Sequence, residues 1–555
     1  MAINLAEWLG RLAPSRRVLG TNAADALTAQ AEGNVLDGLR ADDTLESGYN
    51  RTGLLGGSGA DTLSVDATAG PDSDGGTRLV VASGGAGADT LTGRLGSAGN
   101  NVVADVVLTG DDGSDTIAAE AYLFDFTLGA VLTTRTDGGR GDDIITAVAS
   151  TSNALSDDQA INIADGGEGN DRISARAGTG FFSVGSLAMN LLDGGDGDDV
   201  IQASVGTNGN GFGTAVNIVH GGRGNDSVLS GTSTGSNSSS ATARNELSGD
   251  DGDDVLVAVN DSSGESMATG ADTTVDGGRG DDTIDARSNA LAVAVSRVTH
   301  ALTGDQGDDV ITSNLAAVGG AGIVDAQADL SGGTGDDSLT ATLDASFQFS
   351  ESVLANRLDG GAGRDQLTAV LTATFTDWTT GLTASNHLAG GAGDDVLDAT
   401  LAVSIRDEFE TRELVYGVSE NRLDGGVGDD TLTARVSTET LSTTTSATAS
   451  SVLEGGAGND RLTVFGGSGN ILDGGEGRDT LQGGSGDDQL IGGRGTDTVV
   501  FGGARADYGI AREADGWLVV TDLRLGSPDG VDRLFAVETL AFADGLVATD
   551  RSLGV

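Results

Sequence analysis

The 555-residue chain contains no cysteine, no lysine and only three prolines, and aromatic residues make up 4% of it. Without cysteine there is no disulfide, no thiolate nucleophile and no Cys-ligated zinc or iron–sulfur centre. No apolar run approaches the ~18 residues of a membrane-spanning helix. Basic charge is scarce as well: 30 arginines stand against 84 acidic side chains, a formal net charge of −54. Nucleic acid and anionic lipid are held through basic patches, so neither nucleic acid nor membrane insertion is expected. Glycine is abundant at 91 residues, but without the strict triplet and proline content of collagen. Few aromatics and high charge belong to disordered compositions, yet 37% of residues are hydrophobic and regularly spaced. For such a chain to collapse, something must neutralise the acid.

A block Gly-Gly-x-Gly-x-Asp-x-aliphatic recurs nineteen times between Gly56 and Val499. The first eleven steps are 26 to 28 residues, the next three are 30, 35 and 30, and the last four shrink to between 8 and 11. Glycine holds the fourth position in every block and aspartate the sixth in eighteen, the exception being Ile471 in the block at Gly466. Second-position glycine gives way only to Asp111, Asp250 and Asp305, and degenerate copies precede the series at Gly20–Leu27 and Gly38–Leu45. Between blocks, Leu339, Ala341, Leu343, Ala345, Phe347 and Phe349 alternate with polar residues, the period of a strand with one buried face. An Asn recurs shortly before the glycines, at Asn34, Asn162, Asn190, Asn217, Asn245, Asn356, Asn386, Asn421 and Asn470.

One unit of about 28 residues thus holds a glycine turn, a strand, a second bend and a returning strand. A single unit cannot bury its apolar face, whereas stacked units can. The expected fold is all-β, a parallel β-solenoid or β-roll whose coils lie ~4.8 Å apart. Its asparagines should stack as a ladder that bonds the backbone where the chain bends. The expected organisation is a capping helix or leader over 1–19, a long-period solenoid over 20–454, a short roll of nine-residue steps over 455–499, and a β cap over 500–555.

Turn chemistry alone accounts for the glycines but not for an aspartate at one fixed position. Stacking brings these carboxylates into single file, where like charges repel. Many blocks add a second acid just before, as in Asp142-Asp143, Asp198-Asp199 and Asp394-Asp395. Calcium suits such a turn, because it takes six to eight oxygens and accepts backbone carbonyls beside carboxylates. Magnesium fits less well, and zinc or copper would look for His or Cys, of which only His220, His300 and His387 exist. On the order of 15–18 calcium ions would bring about +30 to +36 of charge, most of the deficit.

The block resembles the calcium-binding nonapeptide of RTX proteins. That resemblance implies a β-roll with calcium held between neighbouring turns. Its ligands would be Asp61, Asp89, Asp115, Asp143, Asp171, Asp199, Asp226, Asp254, Asp282, Asp309, Asp337, Asp365, Asp395, Asp430, Asp460, Asp479, Asp488 and Asp497, helped by turn carbonyls such as those of Gly84 to Gly87. Ordinary RTX rolls advance by nine residues with calcium on both edges. Here only Gly455 to Val499 approaches that step, so the 28-residue region should carry calcium on one edge and variable bends, such as Ser233–Ser240 and Thr438–Ser446, on the other. Residues 500–555, with Asp529-Gly530-Val531-Asp532 and Val537-Glu538-Thr539-Leu540, are similar to the C-terminal region of RTX proteins exported by type I secretion. A plain cap for the last coil is the simpler reading of the same residues.

At the other end Leu5, Trp8, Leu9 and Leu12 share one helical face, as expected of a helix capping the first coil; self-association or surface docking is the sharper alternative. No long apolar h-region or small-residue cleavage site marks a Sec signal peptide. Gly231-Thr232-Ser233-Thr234-Gly235 matches a hydrolase nucleophile pattern but sits within a repeat coil rather than at a strand-to-helix elbow. No His-Glu-x-x-His occurs, and the repeats leave little room for a catalytic module. The expectation is a non-enzymatic extracellular calcium-binding protein with a structural role in a surface layer, matrix or adhesin. Its partners would be calcium, the type I exporter, and either further copies of itself or a cell-surface polysaccharide. A solenoid binding polysaccharide or ice, and a hydrolase using Ser233, are the alternatives.

Overall fold

The computed structural model describes residues 3–12, 14–68, 76–180, 184–207, 212–234, 240–319, 323–347, 351–375, 381–405, 417–440 and 448–549. Strand accounts for 72% and helix for 2%. Two compact units are present, Met1–Ala292 and Val293–Val555, and each is a parallel β-solenoid.

In the first unit each coil contributes a forward strand after its glycine turn and a return strand before the next. Forward strands Ile144–Ser156, Arg172–Thr179 and Val200–Thr207 pair in parallel, with Ile145, Ile173 and Ile201 in register. Return strands Val131–Arg140, Gln159–Glu168 and Ser186–Asp196 form the facing sheet in the same way. Alternation sends Ile145, Ala147, Ala149, Ala160 and Ala164 inward, all 2% exposed or less. The core is therefore a thin layer of aliphatic and alanine side chains between two sheets.

The asparagines are buried in this layer. Asn162, Asn190, Asn217 and Asn245 are fully inaccessible, and each Nδ2 donates to the Oδ1 of the next, at 2.8, 2.8 and 3.2 Å. The expected ladder forms, but it is not at a bend. The amides reach across the core to carbonyls in mid-strand, such as Ser204 O at 3.0 Å and Gly231 O at 3.0 Å. A buried amide satisfies both ends in this way without carrying charge.

Helix Leu5–Arg11 forms as its spacing predicts, begun by Asn4, whose side chain accepts the Glu7 N–H. It does not close the first coil. Leu12 joins Val35, Leu79, Val81 and Val107 in one cluster, against which Ile3, Leu5, Trp8, Leu9 and Leu55 pack. Arg11 pairs with Asp105 at 3.0 Å, and the Ile3 N–H donates to Asp137 at 3.0 Å. Strand alternation explains this position. Val80 and Val106 fill the interior, so their neighbours Val81 and Val107 face outward and need cover.

In the second unit the column Leu339, Leu367, Leu397, Leu432, Leu462, Leu481 and Val499 runs in unbroken register. From Leu462 onward the coils shorten to two nine-residue steps, as Ile471 pairs with Gln489. Two cap strands prolong the sheets: Val531–Phe535 pairs in parallel beside Gln489–Gly495, and Thr539–Phe542 beside Thr498–Val500. Strands Tyr508–Arg512 and Leu518–Asp522 add antiparallel cover. Phe349 and the bends at 235–239 and 441–446 lie outside the described residues.

The second unit's asparagine ladder, Asn356 to Asn386 to Asn421, is interrupted on one side. Asn356 Oδ1 is buried without a hydrogen-bond partner, because its equivalent on the preceding coil is Ala328. Ala328→Asn would place an amide donor there. The expected outcome is a higher thermal unfolding midpoint, worth about 1 kcal/mol, and a lower midpoint in calorimetry would contradict the ladder.

Candidate metal centres

The turns are built mostly by glycines, at positions where most other residues would be strained. In the block at Gly138, Gly141 has φ +116°, and a Cβ there would run into the Gly113 carbonyl of the preceding coil. That contact explains why the fourth position is always glycine. The second position also lies at positive φ, and its three exceptions Asp111, Asp250 and Asp305 sit at +74°, +73° and +75°, a region aspartate tolerates better than most residues.

The turn delivers the sixth-position aspartate inward. All eighteen predicted residues, from Asp61 to Asp497, are 5% exposed or less. One carboxylate oxygen is used in a regular way. Asp171 Oδ1 accepts the backbone N–H of Asp143 at 2.7 Å, Asp199 Oδ1 that of Asp171 at 2.6 Å, and Asp226 Oδ1 that of Asp199 at 2.8 Å. In the second unit Asp365, Asp395, Asp430 and Asp460 repeat the bond at 2.8 to 2.9 Å. The aspartate column thus follows one edge along the described long coils of each unit.

In sixteen of these residues the other oxygen has no partner. Oδ2 is buried and unbonded in Asp61, Asp89, Asp115, Asp143, Asp171, Asp199, Asp226 and Asp254. The same holds for Asp337, Asp365, Asp395, Asp430, Asp460, Asp479, Asp488 and Asp497. A repeated buried carboxylate oxygen with no donor is a large cost unless a cation meets it. Room is present beside it. A Cβ on Gly360 would lie 2.5 Å from Asp365 Oδ2 and 2.7 Å from the Gly390 carbonyl oxygen, and one on Gly425 2.5 Å from Asp430 Oδ2 and 2.6 Å from Gly455 O. First-position glycine therefore leaves open a small space faced by one carboxylate and the carbonyl of the next coil.

Among the described residues no three His, Cys, Asp or Glu side chains converge as a metal cluster. The donor set is instead one carboxylate oxygen plus backbone carbonyls, all hard oxygens, which suits calcium and offers nothing to zinc or copper. The sixth-position aspartates with first-position glycine carbonyls would hold the ion. When bound it supplies two positive charges to a buried carboxylate file.

The second acids have a different task. Asp142, Asp198 and Asp253 are exposed, and their Oδ1 atoms accept the N–H of Asn170, Asn225 and Asp281 on the next coil at 2.9 Å. Asn170 and Asn225 do the same for Asp198 and Asp253 at 2.8 and 3.0 Å. A neutral amide serves as well as a carboxylate here, so this outer ladder requires no ion. Arginines offset part of its surroundings: Arg223 pairs with Asp196 at 3.1 Å, Arg279 with Asp251 at 2.8 Å, and Arg364 with Asp336 at 2.7 Å.

Two positions depart from the sequence pattern. Asp43 belongs to the column, 1% exposed with Oδ2 unpartnered. Its degenerate block hides it, since Leu39 and Ala41 take up φ +80° and +70° in place of glycine. In the exceptional block Asn470, one residue earlier than Ile471, enters the ladder. Its Nδ2 lies 2.8 Å from Asp488 Oδ1, 3.3 Å from Gly483 O and 3.4 Å from Gly466 O. An amide donor there meets the Gly483 carbonyl, a first-position glycine oxygen of the kind that faces the aspartate Oδ2 in other turns. On this second edge of the short roll Asn470 and Asp488 are linked through backbone N–H bonds, so the nine-residue steps alternate between two edges.

Elsewhere, Ser233 stands on strand Ser227–Thr234 in register with Gly206, not at an elbow. His300 is buried with Nδ1 2.8 Å from Ser313 Oγ, and burial lowers its pKa to about 3.

A family model described as RTX calcium-binding nonapeptide repeat matches residues 75–103, 155–181, 184–208, 213–232, 267–289, 374–401, 417–437, 449–470 and 465–499. No curated protein matches the chain.

Burial, then the neighbouring aspartates, pushes Asp89, Asp143, Asp171, Asp199, Asp226 and Asp430 from 3.8 up to about 7, against the lowering effect of the backbone N–H bond. Asp115, Asp254, Asp337, Asp365 and Asp479 rise to about 6. The metal-free fold then binds more protons than the unfolded chain between about pH 4 and 7, so its stability falls as pH rises through that window. In chelator, the thermal midpoint should be higher near about pH 5 than near about pH 8, and calcium should raise it more at the higher pH. A midpoint in chelator that stays flat or climbs with pH would contradict this.

Proposed function

This chain belongs to the RTX calcium-binding repeat family, and from that premise we propose that it is a secreted, non-enzymatic structural protein that folds on calcium. The observation that carries the reading is the file of buried, unpartnered Oδ2 atoms. In low calcium the ionised file repels itself and the coils stay apart. In millimolar calcium, the range weak extracellular sites are tuned to, the sixth-position aspartates and first-position glycine carbonyls would hold ions whose charge offsets this repulsion and lets the β-sheets close. Coupling of metal to folding suits a polypeptide that must leave the cell unfolded and become rigid outside. Nearly all of the described chain is solenoid and cap, which favours a structural component of a surface layer, matrix or adhesin. The similarity of residues 500–555 to the type I secretion region supports export by that route.

The polysaccharide- or ice-binding alternative has one supporting observation. On the second unit's outer face Thr312, Thr340 and Thr368 stand in register on successive coils, followed by Asp398. Adsorption of the purified protein to ice or polysaccharide would raise that reading. It leaves the buried aspartates unexplained, so the calcium reading stands first.

Expression of the full chain and of a variant lacking residues 500–555, in cells carrying a type I exporter, tests the export half. The full chain should accumulate in the medium and the truncated one inside the cell. Equal export of both would remove the C-terminal region from the account.

A further inference from the structure

The cap does more than cover the last coil: it reproduces, with its own residues, the half-site that a further coil would have supplied. In the body of the second unit, the next coil gives each turn a glycine carbonyl facing the aspartate Oδ2, and a carboxylate oxygen that accepts the aspartate N–H. At Gly425 these come from Gly455 O and Asp460 Oδ1. The final turn of that edge, Gly492 to Asp497, has no coil beyond it. There the point a Cβ on Gly492 would occupy is 2.7 Å from Asp497 Oδ2 and in contact with the Ala536 carbonyl oxygen. The Asp497 N–H donates to Glu538 Oε2 at 2.9 Å, and the Asp497 carbonyl accepts the Thr539 N–H at 2.9 Å. Ala536 takes up φ +50° to aim its carbonyl, a conformation alanine rarely adopts.

The opposite edge is finished by the same kind of backbone N–H bonds. The Asp488 N–H donates to Asp532 Oδ1 at 3.0 Å, and the Arg533 N–H to Asp488 O at 2.9 Å. The Val531 N–H donates to Asp487 Oδ1 at 2.7 Å. Gly530, at φ +74°, rests on Gly486 as fourth-position glycines rest on one another. Gly530-Val531-Asp532-Arg533-Leu534 is thus the second half of a repeat block, embedded in the cap. Asp532 is 5% exposed, and a cavity of about 310 Å³ lined by Gly483, Gly484, Phe501, Asp529 and Asp532 opens beside it. Oδ2 of Asp488 and of Asp497 are both buried without a partner, in residues 5% and 0% exposed.

We propose that the cap is fastened to the roll by one divalent cation on each edge, the first held by Asp497, the Ala536 carbonyl and Glu538, the second by Asp488 and Asp532. The proposal rests on the calcium reading above and adds the cap's own ligands to it. With only oxygen donors, the ion is a hard one of the calcium class. Docking of the cap is then conditional on calcium, and the open end of the roll is sealed only when both ions are bound.

Hydrogen–deuterium exchange of the full chain across a calcium titration tests this, comparing peptides from 531–548 with peptides from 338–347. Glu538→Gln and Asp532→Asn keep an oxygen that can accept the Asp497 or Asp488 N–H but remove the charge. Each variant should bind one calcium fewer by elemental analysis. Each should also need about tenfold more calcium to protect 531–548, with the midpoint for 338–347 unmoved. Unchanged ion count and unchanged cap protection in both variants would overturn the proposal. So would a wild-type cap that is fully protected in chelator, a readout that survives if a variant fails to fold. If 338–347 also ignores calcium, the calcium reading of the whole column fails, which is a different result from a cap that alone ignores it.

Discussion

A buried carboxylate oxygen with nothing to bond it, recurring along the described coils, is the constraint on which the rest of the molecule depends. Coils ~4.8 Å apart set the spacing of that file. Two unit charges at such a distance repel by about 1 kcal/mol in water and by several times more where solvent is displaced. Repeated along a unit, that repulsion and the burial of each unbonded oxygen work against what a thin core of alanine and leucine contributes, unless each charge is met. First-position glycine keeps a space open beside Oδ2, fourth-position glycine lets the turns touch backbone to backbone, and both serve the same oxygen.

Three stacked columns of polar side chains run through the described residues, and comparing them separates geometry from charge. Asn162, Asn190 and Asn217 satisfy one another through amide-to-carbonyl bonds and face mid-strand carbonyls across the core. The outer ladder through Asp142, Asn170 and Asp198 caps backbone N–H groups in water, where Asn and Asp are interchangeable. Only the sixth-position column is both buried and anionic. Asn470 joins two of these kinds: it continues the core register of Ser451, whose N–H it accepts, and bonds Asp488 on the short roll's second edge. The second aspartate edge of the short coils therefore grows out of a neutral ladder of the long ones.

Most of this was legible in the sequence because a solenoid repeats its constraints. Period-two alternation gave the strands, the block spacing gave the coil length, and the fixed aspartate marked the column. What escaped was whatever depends on one local conformation. Asp43 was hidden because Leu39 and Ala41 adopt left-handed backbone that the pattern assigns to glycine. The acid pairs looked like one feature, although the turn directs Asp143 inward and Asp142 to solvent. The helix at Leu5–Arg11 was expected over the first coil, yet the outward Val81 and Val107, which a simple alternation reading treats as surface, draw it onto a sheet face. The half-block at Gly530–Leu534 lacks its leading glycines, so its relation to the repeats emerges only from the hydrogen bonds it makes.

The most direct measurement is a crystal structure of the calcium-saturated protein, read at Asp143, Asp171 and Asp199. The account predicts an ion in contact with Oδ2 of each, shared with a turn carbonyl, while Oδ1 keeps its bond to the preceding coil. Ordered coils with those Oδ2 atoms still buried and no ion beside them, in saturating calcium, would contradict it.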